Sequence, residues 1–331
     1  MADRQQIHVS MFTWIVAGVC LFYLLINFLL MHWVVVKPSA RFTNDENHLN
    51  ATLAMILKPR WTGSLGHSQV RDFLLQELWE LGFHTERDEF EDGVAFTNVM
   101  GTINPEAPNF LLLCCHYDTE YLTNAEGFVG ATDGAVPCAI LLNMAKTLGP
   151  YLREELRKRM DIGLALVFFD GHEPMPSDPK DSNVLRGSKR FVEMETLPLE
   201  SIEVAIALNF IGAPAQAYMS HYDSTYGLHN RMTEIELNLR ESGQLAQCHL
   251  LFQKLKDHDT DLPDDHYPFL DEGVPVMHLA PYRYPEVWHT AADNAAHLHW
   301  PTVLNMNSII RQFVYEYLES HDDDTTFRVD S

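Results

Sequence analysis

The chain has 331 residues, which is enough for one large domain or two ordinary ones. Its formal net charge is −23 at pH 7, and this acidity argues against a nucleic-acid partner. The same charge argues against electrostatic attraction to an anionic membrane surface. A site that attracts cationic groups would benefit from such a surface.

The N-terminal region contains the longest apolar run. Residues 11–36 carry no charged side chain, and a helix needs about 20 apolar residues to cross a bilayer. A cleavable signal needs a small-residue cleavage site, which Lys37-Pro38-Ser39-Ala40 does not offer. We therefore predict a cytoplasmic tail over residues 1–10, an uncleaved signal anchor over 11–36 and a single-pass type II protein. The remaining chain would lie in the lumen of the secretory pathway; a cleaved signal and a secreted product are the alternative.

The region after the anchor is predicted to be one folded domain over residues 42–320, followed by an acidic tail over 321–331. Asn50 begins the only N-glycosylation sequon, Asn50-Ala51-Thr52, as a lumenal domain would allow. Five cysteines are present, and one of them, Cys20, lies in the anchor. The other four permit at most two disulfides, and their spacing does not choose the pairing.

Apolar patterning predicts strands alternating with helices from residue 68 onward. The predicted strands span residues 83–90 and 94–101, joined by a hairpin turn, and then 110–115, 162–169, 204–211 and 274–279. The predicted helices span residues 68–81, 135–148, 186–195 and 228–242, with a last helix from Pro301. This order indicates a single α/β domain with a mixed, mostly parallel central sheet flanked by helices and with antiparallel strands at one edge.

The apolar run 162–169 ends abruptly at ionisable side chains. Asp170, His172 and Glu173 follow it, and Gly171 allows a tight turn between them. Ligands of open α/β sheets bind outside the carboxyl ends of the strands, so these residues are placed where chemistry is expected. A charged loop that merely leaves a strand is the alternative.

Polar residues also follow the other predicted buried strands. The set comprises His116 and Asp118 after the first, Asp133 at the start of the next helix, Asn209 within the third strand and His289 after the fourth. Carboxylate and imidazole ligands from separate strand ends suit a catalytic zinc, which takes three protein ligands and keeps one position open. The spacing equally allows a core histidine at 116, a helix N-cap at Asp133 and a solvated loop charge at Glu173.

Seven motifs, in one order along the chain, resemble the glutaminyl-peptide cyclotransferases, or glutaminyl cyclases, which are relatives of the zinc-dependent aminopeptidases. The motifs are Cys115-His116-Tyr117-Asp118, Gly130-Ala131-Thr132-Asp133, Val136-Pro137-Cys138, Phe168-Phe169-Asp170-Gly171, Ile211-Gly212-Ala213-Pro214, Asp264-Asp265-His266 and Pro285-Glu286-Val287-Trp288-His289-Thr290. The N-terminal anchor resembles the Golgi-resident branch of this family, which implies a Golgi location.

The resemblance implies a zinc aminopeptidase-like fold and one zinc ion per chain, held by Asp133, Glu173 and His289. It also implies a disulfide between Cys115 and Cys138, a catalytic-site aspartate at Asp264, and a substrate pocket walled by Trp288 and Tyr284. The implied reaction converts the N-terminal glutamine of a peptide to pyroglutamate: the α-amine attacks the γ-carbonyl and ammonia leaves. The implied partners are peptides and proteins that begin with glutamine.

Three departures from the family pattern fall in the catalytic region. His172 replaces the glutamate that acts as general acid and base, and Asn209 replaces a hydrogen-bonding aspartate. A pocket tryptophan has no counterpart in residues 174–181, and Tyr284 stands for a phenylalanine. Beside zinc, His172 should lose affinity for its proton and favour a role as base.

We therefore expect a zinc-binding chain with weak cyclisation. The first alternative is a zinc-binding pseudoenzyme that holds peptide N-termini. A zinc aminopeptidase of the same fold is disfavoured, since a second metal would need a carboxylate at position 209.

Overall fold

The computed structural model describes residues 19, 21–23, 42–123, 125, 128–178, 184–256 and 262–320. The chain divides into two units, Met1–Thr43 and Asn44–Ser331. The predicted anchor over 11–36, apart from residues 19 and 21–23, and the predicted tail over 321–331 lie outside the described residues. Among the residues that are described, no helix has the length and apolarity that a bilayer crossing requires.

Asn44–Ser331 is built on a six-stranded sheet with the strand order β1-β2-β4-β3-β5-β8; β6 and β7 pair separately. The strands are β1 His84–Asp92, β2 Val94–Ile103, β3 Asn109–His116, β4 Ile162–Phe169, β5 Ile202–Leu208, β6 Tyr218–Ser220, β7 Phe252–Lys256 and β8 Val276–Leu279. Pairings β4–β3, β3–β5 and β5–β8 are parallel, whereas β1–β2 and β2–β4 are antiparallel. The predicted mixed sheet with an antiparallel edge is confirmed.

Helices cover the sheet on both faces. The α-helices are α1 Glu46–Ile56, α2 Leu65–Glu80, α3 Val136–Thr147, α4 Gly149–Glu154, α5 Arg186–Glu193, α6 Tyr226–Glu241, α7 Tyr267–Asp271 and α8 Trp300–Ser320. Alternation along β3 assigns the faces, since successive side chains of a strand point to opposite sides. Cys114 belongs to the apolar cluster that contains Phe191 of α5 and Phe269 of α7, while Cys115 contacts Cys138 of α3.

The parallel register places the polar strand ends at one edge of the sheet. His116 at the end of β3 lies opposite Phe169 at the end of β4. The chain therefore leaves both strands at the same place, which brings the residues after 116 and after 169 together. All eight residues of β4 are buried, as its continuous apolar sequence predicts for a strand covered on both faces.

Two local predictions need correction. The third buried strand ends at Leu208, so Asn209 lies just beyond the strand and not within it. Asp133 does not cap a helix: it lies in the π-helical turn Ala131–Ala135 with non-helical angles, φ −93° and ψ 83°. Both side chains therefore extend from irregular backbone next to the sheet edge.

Candidate functional site

The turn that carries Asp133 is held from both sides. The fully buried guanidinium of Arg60 donates to the carbonyl oxygens of Gly130 and Asp133, at 3.0 and 3.1 Å. The carboxylate of Asp293 accepts a hydrogen bond from the backbone N–H of Asp133 at 3.2 Å. These contacts fix an irregular backbone and leave the Asp133 carboxylate directed away from its own turn.

The turn after β4 is held by a buried carboxylate. Gly171 has φ +69°, a conformation that favours glycine. Asp118 accepts hydrogen bonds from the backbone N–H groups of His172 at 3.3 Å and Glu173 at 2.9 Å. The loops after β3 and β4 are thus tied together, and the Glu173 side chain is presented at the sheet edge.

His289 completes the predicted ligand set. Its Nε2 atom lies 3.3 Å from Asp133 Oδ2 and 3.4 Å from Glu173 Oε1. Its Nδ1 atom lies 2.7 Å from Glu120 Oε2. The structure therefore brings together the three side chains that the resemblance implies as zinc ligands, although they are far apart in the sequence.

The chemistry of this cluster fits a metal ion. Asp133 Oδ2 is buried and, within the described part of the chain, accepts no well-aligned hydrogen bond. Burial works against a charge on His289, yet the carboxylates of Asp133, Glu120 and Glu173 beside it raise its pKa to about 12, so the surroundings favour a positive charge. Two carboxylates and one imidazole are a donor set used by catalytic zinc.

His172 is bonded to a second pair of carboxylates. Its Nδ1 atom lies 3.0 Å from Asp265 Oδ2, and Ser188 Oγ donates to Asp265 Oδ1 at 2.6 Å. Its ring stacks on His116 with the centroids 3.9 Å apart. Burial and the charge of His116 lower the pKa of His172, but Asp265 and Asp264 outweigh them and raise it to about 9. The two carboxylates therefore favour the protonated ring, and the lowering of this pKa by a neighbouring zinc stays a prediction.

Asn209 is buried in a fully bonded network. Its Nδ2 donates to Asp264 Oδ2 at 3.0 Å, and its Oδ1 accepts from the backbone N–H of Phe210 at 2.8 Å. Asp264 Oδ2 also pairs with His278 Nε2 at 2.9 Å. Burial opposes the charge of Asp264, but His278 and His172 hold its pKa well below the ordinary value. The network therefore keeps Asp264 as a carboxylate and uses Asn209 as its donor.

Aromatic side chains form a wall beside His289. Tyr284 and Trp288 stack with centroids 4.0 Å apart, and the Trp288 ring lies 4.2 Å from the His289 ring. Phe210 meets Tyr284 edge-on at 5.1 Å. The predicted wall residues are thus adjacent to the candidate metal ligands, and Tyr284 is 39 % exposed, as a residue at the mouth of a pocket would be.

The remaining predicted positions are a cysteine pair and a glycosylation site. Cys115 and Cys138 are buried thiols with their sulfur atoms 2.9 Å apart, so the disulfide stays a prediction. Asn50 is exposed on α1, and its glycosylation also stays a prediction.

Sequence reasoning missed the residues that hold the site together. No sequence motif marked Arg60, Glu120 or Ser188 as site residues. Each contacts a residue that is distant in the sequence and comes close only in the folded chain. Asp265 was marked by such a motif, because it adjoins Asp264 in Asp264-Asp265-His266. It could therefore have been predicted as a hydrogen-bond partner of His172.

Comparisons with known proteins agree with this geometry. The family model described as "Peptidase family M28" matches residues 98–314. A glutaminyl-peptide cyclotransferase of Drosophila melanogaster is 36 % identical over 296 residues, covering 83 % of this chain and 82 % of the relative. The chain belongs to the glutaminyl-peptide cyclotransferases of peptidase family M28.

Two further members support this assignment. A glutaminyl-peptide cyclotransferase-like protein of Bos taurus is 37 % identical over 289 residues, covering 81 % of this chain and 75 % of the relative. The crystal structure of the Macrostomum lignano glutaminyl cyclase superposes with a TM-score of 0.74 at 29 % identity. That superposition covers 82 % of this chain and 89 % of the other.

Proposed function

We propose that this chain is a zinc-dependent glutaminyl-peptide cyclotransferase that converts N-terminal glutamine of peptides to pyroglutamate and releases ammonia. The observation that carries the proposal is the convergence of Asp133, Glu173 and His289 beside the aromatic wall of Tyr284 and Trp288. Family membership supports it, because the matched relatives bear this name.

Asp133, Glu173 and His289 would hold one zinc ion per chain. Zinc at this place supplies Lewis acidity toward the γ-carbonyl of the substrate glutamine. The buried Asp133 and Glu173 carboxylates hold negative charge in a site largely shielded from water, which strengthens their interaction with a cation.

His172 is the proton carrier in this scheme. A carboxylate only accepts hydrogen bonds, so in the neutral form of His172 Asp265 holds the proton on Nδ1 and the Nε2 lone pair is left for the substrate. Because the pKa of His172 is raised to about 9, this neutral form becomes more populated as the pH rises toward 9. His172 Nε2 takes the proton that the attacking α-amine loses and returns it to the departing nitrogen, which leaves as ammonia. General acid–base transfer of this kind contributes about 10²–10⁴-fold in rate.

Two further groups serve the reacting end of the substrate. Asp264 is held ionised by His278 and Asn209, so its charge can attract the cationic N-terminus of a peptide. Trp288 and Tyr284 confine the glutamine side chain, so that its γ-carbonyl stays near its own α-amine. Such confinement lowers the entropic part of the barrier.

A zinc-binding pseudoenzyme that retains peptide N-termini is the second candidate. Asn209 favours it, because an amide at this position cannot exchange a proton with substrate as a carboxylate can. Both candidates predict zinc, and they differ only in turnover.

The test is ammonia release from a glutamine-led peptide by the purified full chain, with zinc content measured in the same sample. We expect about one zinc per chain and turnover that stops when a chelator removes the metal and returns when zinc is added. Zinc without turnover would favour the pseudoenzyme, and absence of zinc would contradict the ligand assignment.

A further inference from the structure

Glu120 is an acidic residue outside the predicted ligand set that contacts this set directly. Its Oε2 atom lies 2.7 Å from His289 Nδ1, the ring nitrogen that faces away from Asp133 and Glu173. Both side chains are 25 % exposed, so the contact lies at the mouth of the site and is partly screened by water. The short distance indicates a charge-assisted hydrogen bond.

The backbone around Glu120 is held in place by the same segment that supports Asp133. The N–H of Thr119 donates to the carbonyl oxygen of Arg60 at 3.3 Å, and the N–H of Arg60 donates to Thr119 Oγ1 at 3.2 Å. Arg60 in turn donates to the Asp133 carbonyl. Glu120 therefore extends from a segment that is fixed relative to the turn Ala131–Ala135, which carries Asp133. The fold thus holds Glu120 within hydrogen-bonding distance of His289.

The contact determines how His289 is presented. A carboxylate accepts hydrogen bonds and donates none, so Glu120 holds a proton on His289 Nδ1, and Nε2 is the nitrogen that would face a metal ion held by Asp133 and Glu173. His289 has φ +52°, a conformation that costs a non-glycine residue some free energy and persists only where surrounding contacts hold it. In metal sites a second carboxylate of this kind fixes the tautomer and increases the basicity of the ligand nitrogen.

We infer that Glu120 is a positioning residue of the metal centre, which orients His289 and thereby strengthens zinc binding. The inference rests on the proposed function, since it takes His289 as a zinc ligand. A direct ligand role is the competing possibility, because donor atoms of Glu120, Glu173 and His289 lie within 4.8 Å of one another. The geometry favours the positioning role, since the Glu120 oxygen is already bonded to the far nitrogen of the ring.

The test is zinc affinity, measured by competition with a chromogenic chelator on the full chain. For Glu120→Ala we expect zinc binding to weaken about 10- to 100-fold. Glu120→Gln should lose less, because its amide oxygen still accepts the Nδ1 proton. Glu286→Ala is the matched control: it removes one exposed acidic group from the loop that carries His289, and we expect a change of no more than about twofold.

Thermal unfolding after chelation separates this effect from a general loss of structure. We expect Glu120→Ala and Glu286→Ala to unfold at the same temperature as wild type once zinc is removed.

Two outcomes would contradict this inference without contradicting the proposed function. An affinity of Glu120→Ala equal to that of Glu286→Ala would show that the contact does not matter, and a loss as complete as that of His289→Ala would make Glu120 a direct ligand. Wild-type protein that binds no zinc would instead overturn the metal assignment of the proposed function.

Discussion

The candidate site has two halves that differ in how closely they follow the family pattern. In the metal half, Asp133, Glu173 and His289 are the residues that the family pattern implies, and one buried oxygen of Asp133 has no aligned donor among the described residues. In the proton-transfer half, His172 and Asn209 replace two carboxylates. His172 is hydrogen-bonded to Asp265, and Asn209 is hydrogen-bonded to Asp264.

The two halves also differ in how their buried polar atoms are paired. A buried carboxylate oxygen without an aligned donor costs free energy, which a cation bound there would offset, and this supports the proposed metal at Asp133. In the proton-transfer half each introduced donor faces a carboxylate: His172 Nδ1 faces Asp265, and Asn209 Nδ2 faces Asp264. Replacing carboxylates by an imidazole and an amide therefore changes the proton chemistry without leaving unpaired charges.

The largest effect is expected from the metal half. Asp133→Asn keeps the shape of the side chain but removes its charge, so we expect zinc content to fall and turnover to drop to background. Metal analysis and ammonia release on the same sample measure both. Asp72→Asn, which changes an exposed carboxylate on α2, should leave both unchanged; retention of zinc by Asp133→Asn would contradict the ligand assignment.

The second-largest effect is expected from the hydrogen bond between Asp265 and His172 Nδ1. In Asp265→Asn, the amide can turn its NH₂ group toward His172 Nδ1, which moves the proton to Nε2 and removes the base. We expect kcat to fall by up to about 10²–10⁴-fold, with zinc content and KM little changed. Ser188→Ala, which leaves both Asp265 oxygens in place, should have a smaller effect on kcat; an equal fall in both would point to disrupted packing.

A smaller effect is expected at the aromatic wall. Trp288→Ala removes the ring that stacks on Tyr284 and lies against His289. Aromatic pairs contribute about 0.5–1.5 kcal/mol beyond burial, so we expect KM for a glutamine-led peptide to rise about tenfold. Steady-state kinetics over a range of peptide concentrations measures the change. An unchanged KM would exclude Trp288 from the pocket.

The smallest effect is expected for Tyr284→Phe, which restores the ring found at this place in the family pattern. The stacked ring is retained and only the hydroxyl is lost, so KM should change by no more than about twofold. The same assay measures it, and a larger change would show that the hydroxyl contacts substrate.

The sequence predicted the parallel strands of the sheet well because they are buried on both faces. The predicted strand 162–169 matches β4, since a continuous apolar run needs no partner to be recognised. The short strands β6 and β7 and helix α1 were not predicted. The third strand was predicted to extend to Ile211 because the apolar run continues that far, whereas the backbone leaves the sheet after Leu208.

The site was predicted through its motifs, and its supports were not. Asp133, Glu173 and His289 lie in motifs that resemble the family, whereas Arg60 and Glu120 act on them from segments with no motif of their own. The pairing of His172 with Asp265, and not with Asp264 alone, depends on side-chain geometry that no spacing in the sequence contains.

The most direct test of the separation between the two halves is His172→Ala, with zinc content and pyroglutamate formation measured on the same protein. The site geometry predicts wild-type zinc content, and turnover reduced about 10²–10⁴-fold relative to wild type. Full turnover with zinc retained would show that His172 is not the proton carrier, and loss of zinc would show that the two halves are not separable.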